Sequence, residues 1–313
     1  MLRFSGGRPP GPRRAGLLLL AALPAVVTGV VYVLSTADSS GWNGSRTSAT
    51  AAQKARQSAK SRAEHESAED EEVIADLPAG LAAPAKKELA QELVASAENS
   101  TLNWRSAYGY IEDIDDGQGY TAGAVGFCTG THDLLALVER YTEDHPDNGL
   151  ADYLPALREV DGTDSHEGLD PGFTAAWKAE AELPAFRKAQ DEERDRVYFD
   201  PAVRLAKLDG LGTLGQFVYY DAMVQHGPGT GPTSFYGLRE QAMDEADLPS
   251  QGGSEQTYLD VFLDIRVEAM RTVRPDIDTS RVETAQRQFL YDGNLDLKTP
   301  LTWKVYGETY KVP

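Results

Sequence analysis

The chain has 313 residues, of which 41% are apolar, and a formal net charge of −19 at neutral pH. This length suffices for one large domain or two small ones, and the acidic charge disfavours nucleic acid and anionic lipid headgroups as partners. The charge is uneven, because residues 1–80 carry nine basic and eight acidic side chains and residues 81–313 therefore carry a net −20. Such a field attracts a polycation, although an acidic composition also serves solubility alone.

Residues 1–37 have the composition of a secretion signal. Four arginines and no acids occupy residues 2–14, and a charge-free apolar stretch follows at 15–34. That stretch approaches the roughly 20 residues of a membrane span, so a cleaved signal and an uncleaved signal anchor both stay open, although Pro24 would kink a spanning helix. In either case the rest of the chain is predicted to lie outside the cell.

Residues 38–80 are rich in Ala, Ser, Glu and Lys and poor in apolar side chains. This composition buries too little surface to offset the entropy of ordering, so it predicts a disordered linker. Folded structure is expected from residue 81 onwards. The single cysteine, Cys128, excludes an internal disulfide and stands in an apolar setting that favours a buried hydrophobe over a nucleophile.

Apolar periodicity predicts a mainly helical fold for residues 81–313. The first helix carries Leu89, Leu93, Val94 and Ala97 on one face and ends near Asn99. Alternation then predicts a strand over residues 106–114 and a return strand over 120–127, joined by a glycine-rich turn. Further helices are predicted at residues 131–142 with Thr131 as the cap, 150–160, 174–210, 211–226, 257–274 and 279–293, followed by extended chain at 300–313.

Glu98 continues the apolar stripe of the first helix, because Val94 and Ala90 lie one and two turns before it. Two interpretations stay open at this residue. A carboxyl group on a dry cleft wall suits a general acid, whereas a frayed helix end would expose Glu98 to bulk water.

Four acids crowd the following turn. Glu112, Asp113, Asp115 and Asp116 favour a turn and are individually expected to be solvated. One of them facing Glu98 across a groove would complete a glycosidase carboxylate pair. A metal site is a weaker alternative, because the spacing is not that of a calcium loop, and no nucleophile–base signature surrounds the histidines.

Three charges stand in apolar helical surroundings, namely Asp221, Arg266 and Arg281. Buried charges are tolerated when they are paired. These three are therefore predicted to form either an inter-helix network or a group that orients the acid. Aromatic side chains also surround the acids, where they either stack on sugar rings or belong to the core: Trp104, Tyr108, Tyr110, Tyr120 and Phe127.

Long strings of the sequence resemble those of the glycoside hydrolase family 46 chitosanases, which are secreted bacterial endo-enzymes. The strings are "ELVASAENSTLNW", "YGYIEDIDDGQGYTAGAVGFCTGTHDLL", "EERDRVYFDPAV", "LGQFVYYDAMVQHGPG" and "QRQFLYDGNLDL". The resemblance covers residues 81–313 in collinear order and leaves the first 80 residues uncovered. It implies a mainly α (α+β), lysozyme-like fold with two lobes, a small β-hairpin or sheet, and a substrate cleft between the lobes.

The resemblance also implies a reaction, the hydrolysis of β-1,4 links between glucosamine units of chitosan with inversion at the anomeric carbon. Matching positions make Glu98 the general acid, Asp116 the general base and Thr121 the residue that positions the water. Substrate-binding roles fall to Asp133, His226, Tyr110 and Tyr120, and a charged network behind the acid falls to Asp221, Arg266 and Arg281. No metal or organic cofactor is expected, and neither is membrane contact by the catalytic domain.

Two positions depart from the family pattern. Gln118 stands where some relatives carry a basic residue, and residues 271–278 are more basic and apolar than an acidic cleft rim should be. The subsite roles of that segment are therefore left open. A monomeric, secreted endo-enzyme acting on chitosan is the leading hypothesis. A glycanase for chitin or peptidoglycan and a non-catalytic polysaccharide-binding module are the alternatives.

Overall fold

The structure is a computed structural model that describes residues 70–313. The predicted signal segment, residues 1–37, and residues 38–69 of the predicted linker lie outside the described residues. Residues 70–75 are helical, and Val73 and Leu77 are exposed. Leu81, in the 3₁₀ turn Gly80–Ala82, is fully buried and begins the core. Within residues 70–313 no helix combines the length and apolarity needed to cross a bilayer.

Helices dominate the described chain. The α-helices are α1 (Pro84–Glu98), α2 (Asp133–Asp144), α3 (Leu154–Val160), α4 (Phe173–Glu180), α5 (Pro184–Arg194), α6 (Asp200–Leu208), α7 (Thr213–His226), α8 (Phe235–Glu245), α9 (Glu255–Val273) and α10 (Arg287–Tyr291). A π-helical turn, Asp195–Phe199, joins α5 to α6, and a second, Val282–Gln286, precedes α10. The strands are β1 (Ile111–Asp113), β2 (Tyr120–Ala122), β3 (Phe127–Cys128), β4 (Leu301–Val305) and β5 (Glu308–Val312).

The helix ends follow local chemistry. Pro84 and Pro184 occupy the first positions of α1 and α5, where a missing N–H costs nothing and the fixed φ suits a helix. The Ser254 hydroxyl accepts a hydrogen bond from the Thr257 N–H and caps α9. Gly227 ends α7 with a φ of +70°, which glycine adopts without strain.

The core is organised around α7, which is buried on nearly all its faces. Its Tyr219 ring packs on Phe262 of α9 with centroids 5.2 Å apart, and its Tyr220 hydroxyl donates to Gln91 of α1 at 2.9 Å. The C-terminal hairpin β4–β5 also packs on α1, where the Trp303 indole donates to the Ser96 hydroxyl at 2.9 Å. Each fully buried large apolar side chain of this kind stabilises the fold by about 1.5–3 kcal/mol.

A small three-stranded antiparallel sheet, in the order β1-β2-β3, carries the acidic turn. Asp113 pairs with Tyr120 at the mouth of that turn, and Glu112 pairs with Thr121, which in turn pairs with Cys128. Directly opposed residues share a face of the sheet. Tyr120 is buried, and Thr121, which is half-buried, lies on the opposite face of the sheet.

The expectation of a mainly helical fold with a small β-sheet is confirmed, with local differences. Residues 104–109 form a 3₁₀ helix, so the predicted strand is reduced to β1, and the predicted hairpin is a three-stranded meander because Gly123 and Gly126 allow a turn. The helix α2 begins at Asp133 after His132, so Thr131 is not its cap. The predicted helix 174–210 divides into α4, α5, a π-helical turn and α6, and α8 was not predicted from the sequence.

Gly119 and Gly117 make a matched pair for testing the acidic turn. Both have positive φ, at +68° and +82°, but a Cβ at Gly119 would lie 2.3 Å from the Thr129 hydroxyl, whereas one at Gly117 meets nothing within 4 Å. Alanine costs roughly 1–2 kcal/mol of backbone strain at either site. We expect Gly119→Ala to lower the free energy of unfolding by about 1–3 kcal/mol more than Gly117→Ala, because crowding adds to strain. Urea titration measures the difference, and equal losses would refute the crowded packing of Gly119.

Candidate active site

Glu98 is the last residue of α1, and Asn99 caps that helix. The stripe behind it is buried as predicted, at Ala90 and Val94. The Glu98 side chain itself is 32% exposed, so it stands at the edge of the core and not inside a dry wall. The Arg281 Nη1 donates to Glu98 Oε1 at 2.6 Å, which fixes the carboxylate to a neighbouring segment of the chain.

Arg281 belongs to a buried charge network. Its Nη2 donates to Asp221 Oδ1 at 2.8 Å, and Arg266 Nη2 donates to Asp221 Oδ2 at 2.6 Å. Gln286 links the same two residues, accepting from Arg266 Nη1 at 2.8 Å and donating to Asp221 Oδ2 at 2.6 Å. The three charges predicted from the sequence therefore meet, and through Arg281 they reach Glu98.

The network determines the charge of Asp221. Burial alone would raise the pKa of Asp221, but the guanidinium groups of Arg281 and Arg266 outweigh burial and hold that pKa far below its usual range. For Arg281 the signs are opposite: burial alone would lower its pKa, but the charges of Asp221 and Glu98 outweigh burial and raise that pKa. Removing one member of such a set leaves a buried charge uncompensated, at a cost of about 3–5 kcal/mol.

His226 ends α7 beside this network. Its Nδ1 donates to the Thr233 carbonyl at 3.0 Å and its Nε2 accepts from Arg266 Nε at 3.3 Å, which assigns one neutral tautomer. Burial, followed by the charge of Arg266, lowers the pKa of His226 to about 3. Both ring nitrogens are thus engaged by the protein, so any contribution of His226 to substrate binding passes through its ring surface.

Asp116 projects from the turn between β1 and β2 and is exposed. Its Oδ1 accepts from the Gln118 N–H at 3.0 Å, which is the hydrogen bond of an Asx turn. Asp115, before it, has a φ of +57°, and Asp113 Oδ1 accepts from the Asp115 N–H at 2.8 Å. Asp113 and Asp115 thus help to shape the turn. The second carboxylate oxygen of Asp116 faces solvent and lies 3.4 Å from the Gln118 side-chain amide.

The charge of Asp116 reaches two other residues of this region. Burial, then Glu112, and also Asp116 raise the pKa of Tyr110, and burial above all, with a smaller effect of Asp116, raises the pKa of Cys128 to about 11. Cys128 is buried, as expected, and its Sγ lies 3.3 Å from the Thr121 hydroxyl. Asp116, Tyr110 and Thr121 therefore belong to one neighbourhood.

Asp133 lies in the same neighbourhood but is buried. Its Oδ1 accepts from the Cys128 N–H at 2.9 Å and from the Thr131 hydroxyl at 2.6 Å, and its Oδ2 accepts from the Tyr198 hydroxyl. Burial raises the pKa of Asp133 against these hydrogen bonds. An ammonium group would have to share a carboxylate that the protein already holds in place.

Tyr120 was expected to bind substrate, and its surroundings do not favour that role. The residue is 6% exposed, and its ring stacks on His166 with centroids 4.0 Å apart. Its hydroxyl donates to Asp170 at 2.6 Å. The other aromatic residues near the acids are also core, namely Trp104, Tyr108 and Phe127, while Tyr110 is half-buried.

Comparison with known proteins identifies the family. The sequence profile of Glycosyl hydrolase family 46 matches residues 92–301. The chain belongs to this family. It is 59% identical, over 75% of its own length and 84% of the other, to a chitosanase of Streptomyces sp. strain N174. This member of the family is therefore a glycoside hydrolase.

Solved structures agree with this assignment. The chitosanase OU01, crystallised with substrate, matches with a TM-score of 0.74 and 53% identity over 76% of this chain and 100% of that one. The family 46 chitosanase of Gynuella sunshinyii, in complex with chitotetraose, matches with a TM-score of 0.68 and 31% identity over 76% and 99% of the two chains.

Four residues of this region were not predicted from the sequence: His166, Tyr198, Gln286 and Tyr306. Tyr198 lies in a π-helical turn, which no apolar periodicity signals. Gln286 is polar and fully buried, and only its partners reveal it. Tyr306, at the tip of β4–β5, has a φ of +52°, and its N–H donates to the hydroxyl of Ser280, the residue before Arg281.

The atypical segment 271–278 covers the end of α9 and the loop after it. Val273, the last residue of α9, is 70% exposed. Asp278 Oδ1 accepts from the Ser280 N–H at 2.7 Å. The chain then passes through Arg281 into the π-helical turn Val282–Gln286.

The metal alternative finds no support in the described part of the chain. Residues 70–313 contain no group of three or more His, Cys, Asp or Glu side chains arranged to hold an ion.

The depressed pKa of His226 predicts a pH dependence of stability. Between about pH 6.5, the unfolded value, and about 3, the unfolded state binds a proton that the folded state does not, so stability falls as the pH falls. The substitution His226→Gln removes the imidazole group that binds this proton in the unfolded state. We expect the stability advantage of the wild type over the variant to shrink on acidification by at most about 1.4 kcal/mol per pH unit. Urea titrations at several pH values measure it, and a pH-independent difference would contradict the neutral, partly buried imidazole.

Proposed function

We propose that this family 46 member is an endo-acting chitosanase that cleaves β-1,4 links between glucosamine units with inversion. Glu98 is the general acid and Asp116 the general base. Relatives named chitosanase, at 59% and 54% identity, support the substrate class. The observation that carries the proposal is the attachment of Glu98, an exposed carboxylate at a helix end, to a buried charge network by a 2.6 Å ion pair.

The acid needs a fixed orientation. Glu98 must deliver a proton to the leaving glycosidic oxygen, and an unrestrained side chain at a helix end would sample many rotamers. Arg281 restricts Glu98 from one side and is itself fixed by Asp221. The buried network thus works as a rigid support whose own members, including Asp221, keep one charge state through the working pH range.

The base needs access to water. Asp116 is exposed on a turn whose shape is maintained by Asx hydrogen bonds, so its second carboxylate oxygen, which faces solvent, can take a proton from a water molecule. Thr121 presents a hydroxyl from the adjacent strand, and we assign it the role of orienting that water. Inversion requires the water to stand between Asp116 and the sugar, with the two carboxyl groups about 6.5–9.5 Å apart.

The charge of the folded part favours a cationic substrate. Residues 81–313 carry a net −20, which draws glucosamine ammonium groups to the surface and repels anionic wall polymers. Asp133 is the proposed ammonium ligand. Its carboxylate is already oriented by Cys128, Thr131 and Tyr198, so binding would require little further ordering. His226 and Tyr110 contribute ring surface beside the two carboxylates.

The chain organisation completes the proposal. We assign residues 81–313 to the catalytic domain, which the family profile over 92–301 supports. Residues 1–37 would direct export, and 38–80 would act as a linker. A secreted monomer that works outside the cell is consistent with a polymeric substrate.

Substitution of each carboxyl group by its amide tests the assignment. Glu98→Gln and Asp116→Asn keep the shape of the side chains and remove the proton chemistry, so each should lower kcat on fully deacetylated chitosan by at least about 100-fold. Glu92→Gln on the same helix and Asp115→Asn in the same turn are the matched controls and should retain most activity. Reducing-end release on deacetylated and fully acetylated polymer measures both the rate and the substrate preference.

Activity of Glu98→Gln or Asp116→Asn within tenfold of the wild type would overturn the corresponding role. Release of products from the acetylated polymer alone would instead favour a chitin-directed enzyme. Binding of chitosan without any product release by the wild-type chain would support the non-catalytic alternative.

A further inference from the structure

His166 makes three contacts at the mouth of the acidic turn. It lies in the loop between α3 and α4. Its Nε2 stands 3.1 Å from Asp113 Oδ2, its Nδ1 stands 3.5 Å from Asp170 Oδ2, and its ring stacks on Tyr120 with an interplanar angle of 8°. The Tyr120 hydroxyl closes the set by donating to Asp170 Oδ1 at 2.6 Å.

The position of these contacts gives them a function. Asp113 and Tyr120 are the last cross-strand pair of β1 and β2 before residues 114–119, the turn that carries Asp116. His166 therefore holds both strands at the point where they separate. It does so from outside the sheet, across more than 40 residues of chain from either strand.

The two halves of the turn are fastened differently. The second half is bonded to the segment after β3, because the Gln118 carbonyl accepts from the Gly130 N–H at 2.9 Å and the Tyr120 N–H donates to the Thr129 hydroxyl at 3.1 Å. The first half depends on Asp113, whose Oδ1 accepts from the Asp115 N–H while its Oδ2 faces His166.

The loop that carries His166 is itself fixed against the turn. The Gly162 N–H donates to the Thr129 carbonyl at 2.9 Å, and residues 163 and 164 lie so close to Gly119 that a Cβ there would be 3.2 Å from the Asp164 Cα. A side chain projecting from such a loop is a stable reference for the orientation of Asp113.

The contact with Asp113 leaves room for adjustment. The His166 Nε2 atom is buried, yet among residues 70–313 it has no hydrogen-bond partner with good alignment. A small rotation of the ring or of Asp113 would convert the 3.1 Å contact into a hydrogen bond. Hydrogen bonds around a reaction site often tighten only when substrate is bound.

We propose that His166 is a positioning residue that sets the orientation of Asp116 by holding Asp113 and Tyr120 at the mouth of the acidic turn. The inference rests on the proposed function, in which Asp116 is the general base. Through this arrangement His166 acts on the placement of the attacking water and not on the binding of the polymer.

Two substitutions separate the contacts of His166. His166→Phe keeps an aromatic ring on Tyr120 and removes the polar contact with Asp113, whereas His166→Gln keeps a donor that can reach Asp113 and removes the ring. Misplacement of a reacting group lowers kcat by about 10- to 100-fold. We expect such a loss in His166→Phe with KM changed less than twofold, and a kcat within about fivefold of the wild type in His166→Gln. His145→Phe, at another histidine beside an aromatic ring, is the matched control and should leave kcat unchanged.

Combination with Asp116→Asn distinguishes this inference from the proposed function. If Asp116→Asn loses at least about 100-fold in kcat, as proposed, adding His166→Phe should not lower the residual rate further, because both changes act on one base. A normal kcat in His166→Phe, or an additional loss in the double variant, would overturn the positioning role while leaving Asp116 as base. An active Asp116→Asn would instead defeat the proposed function itself. Circular dichroism gives the unfolding midpoint of each variant. The activities are then compared at one temperature at which all variants are folded.

Discussion

The site depends on one buried guanidinium, that of Arg281, which two carboxylates share. One of its nitrogens holds Glu98 at the surface, and the other holds Asp221 in the interior. A charge buried this deeply persists only where partners compensate its lost hydration. Arg266 and Gln286 bind the second oxygen of Asp221 from two other helical segments. The packing of α7, α9 and the second π-helical turn is therefore tied to the orientation of a side chain that reaches solvent at the end of α1.

The second carboxylate is held by a different kind of constraint. Among residues 70–313 Asp116 has no buried counter-ion, and its position comes from backbone geometry: residues with positive φ, the crowded Gly119, and Asx hydrogen bonds. One carboxyl group thus has electrostatic support and the other has conformational support. This division suits the roles proposed for them, an acid that must face the leaving oxygen and a base that must stay open to water. His166 adds a side-chain restraint where the backbone restraint is weakest.

Part of this arrangement could be predicted from the sequence, and the rest could not for physical reasons. The 3.6-residue periodicity indicated α1, α7 and α9, and charges inside apolar helical runs indicated Asp221, Arg266 and Arg281 as partners. The choice of Asp116 among four neighbouring acids came from family resemblance, since turn propensity treats those acids alike. His166 and Tyr198 were not found, because their roles arise from contacts across long stretches of chain. The 3₁₀ and π-helical segments were missed because neither period 2 nor period 3.6 describes them.

The proposed action of Glu98 and Asp116 on opposite faces of the scissile bond, with a water molecule between them, is tested most directly by the stereochemistry of the product. Proton NMR of the anomeric region, recorded during the first minutes of hydrolysis of fully deacetylated chitosan oligomers, shows which anomer forms before mutarotation. Since the bond cleaved is β, inversion makes the α-anomer the first product, and we expect it to appear first. Initial formation of the β-anomer would mean net retention and would contradict the single displacement by water.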